Sequence, residues 1–241
     1  MEEKFDLMVV SRTGKLPKGL EYLPIKKILL ETCRPIGEAR RRVIEKVETP
    51  FLIGIDDDVE IKPGWFEKLF PIIENNPKLG GIYGILELED LGLGLDGMID
   101  VNQPQVLKPG SRFFTNDVIL RTEAIRGWIP ESGNTICYED QSIGNYIRSK
   151  GFELWAVKAP ASHHKTWRDI ARSRFWSGSS WRDAYKPTTL TRLKAYGRQA
   201  LTPFSELFRG HFSVALYRFW GNFFFILGML ARDFLGYKGM L

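Results

Sequence analysis

The sequence predicts an α/β fold, a mostly parallel sheet flanked by helices, followed by a C-terminal helical extension. Three observations predict it. Short apolar runs of strand length alternate with stretches of helical period, the pattern of strand–helix–strand units. One run, Phe51-Leu52-Ile53-Gly54-Ile55, is apolar without interruption, as expected for a strand buried on both faces of a sheet. After His164 the texture changes: four of the seven tryptophans fall between Trp167 and Trp220, and the last long segment is apolar with helical spacing.

Taken in order, Phe5–Val10 is the first predicted strand, closed by Ser11-Arg12-Thr13-Gly14, and residues 27–31 are the second. Residues 36–47 turn helical, with Arg40, Arg41 and Arg42 expected on the surface, and Thr49-Pro50 ends that helix. The apolar run at 51–55 is the third strand. Pro63-Gly64 precedes a helix over residues 65–75, with the proline well placed near its start. Residues 80–88 read as a strand, and residues 91–109, punctuated by Gly and Pro, as a loop. Asp117–Arg121 is a strand, Glu139–Ser149 a helix stopped by Gly151, and residues 152–157 the last strand.

The bulk numbers fit this reading. A chain of 241 residues holds one α/β domain with a proper core and an appendage. Cys33 and Cys137 make neither a disulfide framework nor metal-ligand spacing, and are read as structural thiols. No secretory signal is visible near Met1, which leads to the expectation of a cytoplasmic chain. Charge is unevenly spread. Residues 165–241 carry 13 Lys and Arg against 4 Asp and Glu, a net +9, whereas residues 1–164 carry 21 against 25, a net −4. A basic, aromatic C-terminal part suits an anionic surface. Without a nucleic-acid motif, the expected surface is lipid, not nucleic acid. In residues 212–236, Arg218 and Arg232 bracket only 13 residues, including Asn222. A bilayer span needs roughly 20 apolar residues. The expectation is therefore an interfacial helix, peripheral on the inner face of the cell membrane, with simple packing and a true span as alternatives.

Asp56-Asp57-Asp58 follows the buried run directly. Three carboxylates at one strand end repel each other and destabilise the fold unless a cation compensates. In an extended chain Asp56 and Asp58 project to one side and Asp57 to the other, so the first and third share one hard divalent ion. Oxygen ligation suits Mg²⁺ or Mn²⁺, and such an ion bridges substrate phosphates. The competing reading is a solvated acidic loop. An EF-hand is excluded, because its glycine and its twelfth-position glutamate are missing. Glu139-Asp140 opens a predicted helix, where acidic residues commonly serve as caps. His163-His164 precedes the aromatic, basic segment and hints at metal or phosphate contact.

In this order the motifs resemble the inverting glycosyltransferases of family 2, which have the GT-A (Rossmann-like) fold. Residues 51–60 with Pro63-Gly64-Trp65 look like that family's apolar strand and aspartate motif. Gly37-Glu38-Ala39-Arg40 is similar to its Gly and Ala-Arg signature, with Arg41 standing where the family usually has Asn. Asn116 to Arg121 resembles the acceptor-side strand, Tyr138 to Gly151 the Glu-Asp helix, and Ala159-Pro160-Ala161-Ser162-His163 the closing segment. The usual Pro-x-Tyr-Asn-like start is replaced by Val10-Ser11-Arg12-Thr13-Gly14, and the first helix is short or lost.

The resemblance implies a nucleotide-sugar-binding catalytic domain over residues 1–165 and a basic helical extension over 166–241. It implies a divalent ion on Asp56, Asp58 and His163, or on His164 if the motif slips by one. Ser11, Arg12, Gly37, Arg40, Asp56 and Asp57 would bind the donor, a UDP-sugar or GDP-mannose. Asn116, Asp117 and Glu139 would face the acceptor, a glycan or a lipid-linked molecule. Asp140 would be the general base that takes the acceptor proton. Arg168, Arg172 and Arg174 would close over the phosphates as a basic lid, or else meet lipid or solvent. Two other classes compete. Haloacid-dehalogenase-like phosphatases also open with Asp-x-Asp after an apolar strand, but Glu60 and the Glu139-Asp140 helix fit them poorly. A membrane-associated, inactive GT-A-like binding module is the non-enzymatic alternative.

Overall fold

The computed structural model describes residues 5–11, 13–32, 35–87, 103–130 and 138–236. Cys33, Cys137 and Arg12 lie outside them. In chain order the elements of the first part are β1 (Phe5–Val10), a 3-10 turn (Leu20–Tyr22), β2 (Ile25–Glu31), α1 (Ile36–Glu45), β3 (Phe51–Ile55), β4 (Val59–Ile61), α2 (Trp65–Glu74), β5 (Leu79–Glu87), β6 (Gln105–Val106), β7 (Asp117–Arg121), α3 (Thr122–Ile125), α4 (Glu139–Ser149) and β8 (Glu153–His163). They form one sheet in the order β2-β1-β3-β7-β5-β8-β4, with β6 on β8. β2, β1, β3, β5 and β8 run in one direction, and β7, β4 and β6 run against them. The sheet is therefore mixed, with the parallel direction dominant.

Side-chain alternation builds a core on each face. Phe5, Leu7 and Val9 of β1 and Phe51, Ile53 and Ile55 of β3 enter one cluster, with Trp65, Phe66, Leu69 and Ile73 of α2. Met8 and Leu52, one residue out of phase, enter the other, with Val43 and Ile44 of α1, Ala124 and Ile125 of α3, and Ile143 and Ile147 of α4. Each fully buried side chain of this size stabilises the fold by about 1.5–3 kcal/mol.

Several expectations are corrected. β8 runs to His163 instead of ending at residue 157, and its far half pairs antiparallel with β4, which was not foreseen. β6 lies inside the stretch expected to be a loop. The first helix, expected to be short or lost, is absent from the crossover between β1 and β2, which carries only the 3-10 turn. Gly19 enters that turn with φ 81°, and a Cβ there would sit 1.9 Å from the Ile61 carbonyl oxygen, so only glycine fits.

Residues from Lys165 onward form a second compact unit, to which Tyr138 also belongs. It is built from α5 (Trp167–Tyr185), α6 (Thr189–Phe208) and α7 (Phe212–Leu235). Thr166 and Asp169 cap α5 with a reciprocal capping box, Thr188 caps α6, and Gly236 closes α7 in the left-handed region. α5 and α7 meet backbone to backbone. A Cβ at Gly178 would fall 2.0 Å from the Phe225 carbonyl oxygen, and one at Gly228 would fall 2.1 Å from that of Phe175. Polar pins set the register. Asn222, buried on α7, accepts from Arg174 at 2.9 Å and donates to the Gln199 carbonyl at 2.9 Å. Asp233 accepts from Arg192 and Tyr196, both at 3.1 Å.

Candidate functional site

β1 and β3 are parallel neighbours, and the chain leaves them in opposite directions across the sheet. The crevice outside the carboxyl ends of two such strands is where open α/β sheets bind ligands. Ser11 follows β1 there. Its Oγ donates to Asp57 Oδ2 at 2.5 Å and accepts the amides of Thr13 (3.3 Å) and Lys15 (3.0 Å), joining the two strand ends.

The aspartates do not lie on an extended chain, as the alternation argument required. The backbone turns, with Val59 N donating to Asp56 O at 3.1 Å, and the three carboxylates part company. Asp57 meets Ser11. Asp58 Oδ1 lies 2.9 Å from His163 Nε2, while His164 Nε2 reaches Glu60 Oε2 at 2.9 Å. His163 is thus the neighbour of Asp58, and His164 that of Glu60. Asp56 turns instead to Arg40, whose Nη2 is 3.2 Å from its Oδ1.

Arg40 is the centre of the cluster. It was expected on the surface of α1 with Arg41 and Arg42, but only 2 % of it is exposed. Its Nη1 donates to Glu139 Oε1 at 2.8 Å and also to Asp140 Oδ1. Burial works against its charge, but the carboxylates of Asp140, Glu139 and Asp56 outweigh it and hold the guanidinium more firmly protonated than usual. Glu139 is pushed above the usual carboxylate range by burial and by the Asp140 charge, against the pull of Arg40. Thr115 Oγ1 donates to Asp140 Oδ1 at 2.6 Å, so these contacts all fall on one oxygen of Asp140. Arg41, at the position where Asn is usual, lies along the helix and grips Glu38 with two hydrogen bonds of 2.8 and 2.7 Å.

Other expected residues take different places. Gly37 is buried in the first turn of α1. The Asn116 carbonyl accepts the Asp56 amide at 3.0 Å. Asp117 opens β7. It is fully buried, with Oδ2 accepting from Trp65 Nε1 at 3.2 Å, and burial pushes its carboxyl well above the usual range. A Cβ at Gly84 would come within 2.1 Å of that oxygen. Arg174 donates to Asn222 and stacks over Phe225 at 5.2 Å. Arg168 and Arg172 are exposed on α5. Thr115 and the Lys18–Glu60 pair (3.6 Å) were not foreseen. A buried threonine just before a strand carries no sequence signal of its own.

Among the described residues, no three His, Cys, Asp or Glu side chains converge on one metal position. What the geometry offers is two donors in contact, the Asp58 carboxylate and the His163 imidazole, beside a strand-end crevice. A two-ligand seat of this kind suits an ion whose remaining ligands come from substrate oxygens and water.

A mixed sheet of this topology, with a carboxylate cluster at its switch point, has the architecture of a GT-A-type fold. The comparisons agree. Residues 13–94 match the family model for Glycosyl transferase family 2, a stretch that includes the motifs from Gly37 to Trp65 but not those from Asn116 onward. No curated protein matches the chain. Among solved structures, the chain is similar to the mannosyltransferase PcManGT from Pyrobaculum calidifontis, solved with GDP-Man and Mn2+. The TM-score is 0.52 at 12% identity, over 97% of this chain and 88% of that one. It is also similar to S. aureus TarS 1-349, with a TM-score of 0.50 at 10% identity, over 97% of this chain and 92% of that one. At these identities the likeness establishes the GT-A fold, which sets aside the phosphatase alternative.

Proposed function

We propose that the chain is a divalent-metal-dependent, inverting glycosyltransferase that moves a sugar from a nucleotide-diphosphate sugar to an acceptor hydroxyl or phosphate. One observation carries the reading. Buried Arg40 ties Asp56, at the donor-side end of β3, to Glu139 and Asp140 at the start of α4, so donor and acceptor carboxylates form one rigid cluster. Rigid placement of reacting groups is where much of the barrier reduction in such transfers originates.

Ser11 and Asp57 hold the two strand ends at the donor side, and Asp56 is oriented by Arg40. Asp140, with Oδ1 fixed by Thr115 and Arg40, presents its other oxygen to the acceptor and takes the proton as the acceptor oxygen attacks the anomeric carbon. A single displacement from the face opposite the diphosphate inverts that carbon. Asp58 and His163 would hold Mg²⁺ or Mn²⁺, which when bound neutralises charge on the departing diphosphate. Glu139, buried and against Arg40, positions Asp140 and does not itself touch substrate.

The same proposal includes a membrane surface as partner, with a glycan or lipid-linked acceptor. α7 is, by length and composition, the one described helix able to cross a membrane, with 39% of its apolar window buried. Its buried side carries Asn222, Gly228 and Met229, while Phe219, Phe223, Leu227 and Leu230 lie exposed along the other. One face packed and one face apolar fits a helix lying in an interface.

A thermal-shift screen of nucleoside diphosphates and nucleotide-sugars, with and without Mn²⁺, tests the reading. Stabilisation that requires both nucleotide and metal is expected, and no response to any pair would leave the inactive-module alternative. Asp140→Asn should lose transfer while keeping that stabilisation. Undiminished turnover would remove Asp140 from the base role.

A further inference from the structure

The helical unit holds an open groove of about 490 Å³, lined by Arg168, Ala171, Arg172 and Phe175 of α5 and by Trp220 and Phe224 of α7. Its size is within the roughly 300–1,000 Å³ range of small-molecule sites. The wall is apolar and aromatic, and its only charged members are two guanidinium groups one helical turn apart.

Most arginines of this unit are held by a partner, while exposed Arg198 of α6, like the two of the groove, has no ion pair among the described residues. Arg174 is held by Asn222, Arg182 and Arg192 by Asp233, and Arg209 and Arg218 by Glu206. Arg168 and Arg172 form no ion pair among the described residues. Arg172 feels Asp169 only through space, and that carboxylate is taken up by the Thr166 cap. Like charges at i and i+4 repel each other, so the pair costs stability unless an anion sits between them. Two guanidinium forks side by side match the terminal oxygens and double charge of a phosphate monoester. Beside them, Trp220 continues into the exposed apolar side of α7, through Phe219, Phe223 and Leu227.

We propose that this groove seats a membrane lipid bearing a phosphate monoester, its phosphate on Arg168 and Arg172 and the start of its chain along Phe175, Trp220 and Phe224. The proposal deepens the membrane-surface reading and rests on it. It does not depend on the transferase chemistry, because every residue it uses lies in the helical unit.

Flotation of the full chain with phosphatidylcholine vesicles tests it. The vesicles would be neutral, or carry phosphatidic acid, or carry phosphatidylserine, an anionic lipid without a monoester. Wild type should prefer the phosphatidic acid vesicles. Arg168→Gln/Arg172→Gln should lose about tenfold in apparent affinity for them while keeping its binding to neutral vesicles. Arg198→Gln, an exposed arginine on α6 outside the groove, should change little. Retained binding to neutral vesicles and an unchanged melting temperature show that the double variant is folded. Equal binding of wild type and the double variant to phosphatidic acid vesicles, or equal losses from the Arg198 variant, would overturn the lipid-phosphate seat and leave the membrane reading intact. No flotation with any vesicle would overturn both.

Discussion

Arg40→Met tests the physical centre of the α/β unit. The methionine keeps much of the side-chain volume and removes the single buried cation facing Asp56, Glu139 and Asp140. Deleting one partner of a buried ion pair costs about 3–5 kcal/mol, because the remaining charge is left without compensation. For a chain of this size that corresponds to a fall in melting temperature of roughly 6–20 °C. The loss should depend on pH. Glu139 is held above its unfolded range by burial even with Arg40 in place, and removing the guanidinium raises it further. The native state then binds more protons than the unfolded chain from about pH 4 upward, so stability falls as pH rises through that window. The deficit relative to wild type should therefore be larger near pH 8 than near pH 5. A second substitution, Arg40→Met/Glu139→Gln, neutralises the most buried carboxylate and should recover roughly 0.5–3 kcal/mol. Circular-dichroism melts of wild type and both variants across this pH range are the assay. A single variant within about 1 kcal/mol of wild type near pH 8, or a deficit indifferent to both pH and Glu139, would refute the account of Arg40 as the group that compensates these charges.

Three further outcomes are expected. Asp117→Asn should melt higher than wild type near pH 8. The Asp117 carboxyl is held above its unfolded range by burial, so its contribution is full in acid and is lost as pH rises; the gap should close near pH 4 in melts of both proteins. Gly228→Ala should destabilise the helical unit by about 1–3 kcal/mol or more, since the new methyl would meet the Phe175 carbonyl at 2.1 Å; faster proteolysis between α5 and α7 reads this out, and unchanged proteolysis contradicts the close packing. His163→Ala should abolish the Mn²⁺-dependent part of the nucleotide-induced melting shift, whereas His164→Ala, which loses the contact with Glu60, should retain it; equal behaviour of the two would undo the assignment of Asp58's partner.

Where hydrophobic period is strong and local, the sequence and the structure agree to the residue: β1, β3, β7 and α4 have the bounds read from the chain. They diverge where a distant partner decides. Pro160 lacks an amide hydrogen, which argues against a strand continuing past residue 157. The strand continues because the Pro160 carbonyl accepts Lys62 N at 3.0 Å and β4 pairs with Ala161, Ser162 and His163. The reading of Arg40, Arg41 and Arg42 as three surface residues conflicts with helix geometry. Successive residues are about 100° apart, and Arg40 falls on the same stripe as Gly37, Val43 and Ile44. That spacing places one arginine inside, but it cannot name Glu139 and Asp140, which are 99 and 100 positions away.

The aspartates themselves have to be understood in the same light. On charge alone, three adjacent carboxylates at a strand end require a bound cation for the fold to tolerate them. The chain already answers that need: Asp56 faces the Arg40 guanidinium, Asp57 accepts from Ser11, and Asp58 meets the His163 ring. Fold stability alone therefore does not call for a metal at this site. The case for one rests on the proposed transfer, in which a departing diphosphate would bring more negative charge to the crevice than Arg40, already committed to three carboxylates, can balance. A metal that serves the leaving group and not the fold should stabilise the protein strongly only when nucleotide is present, and that joint dependence separates it from a structural ion.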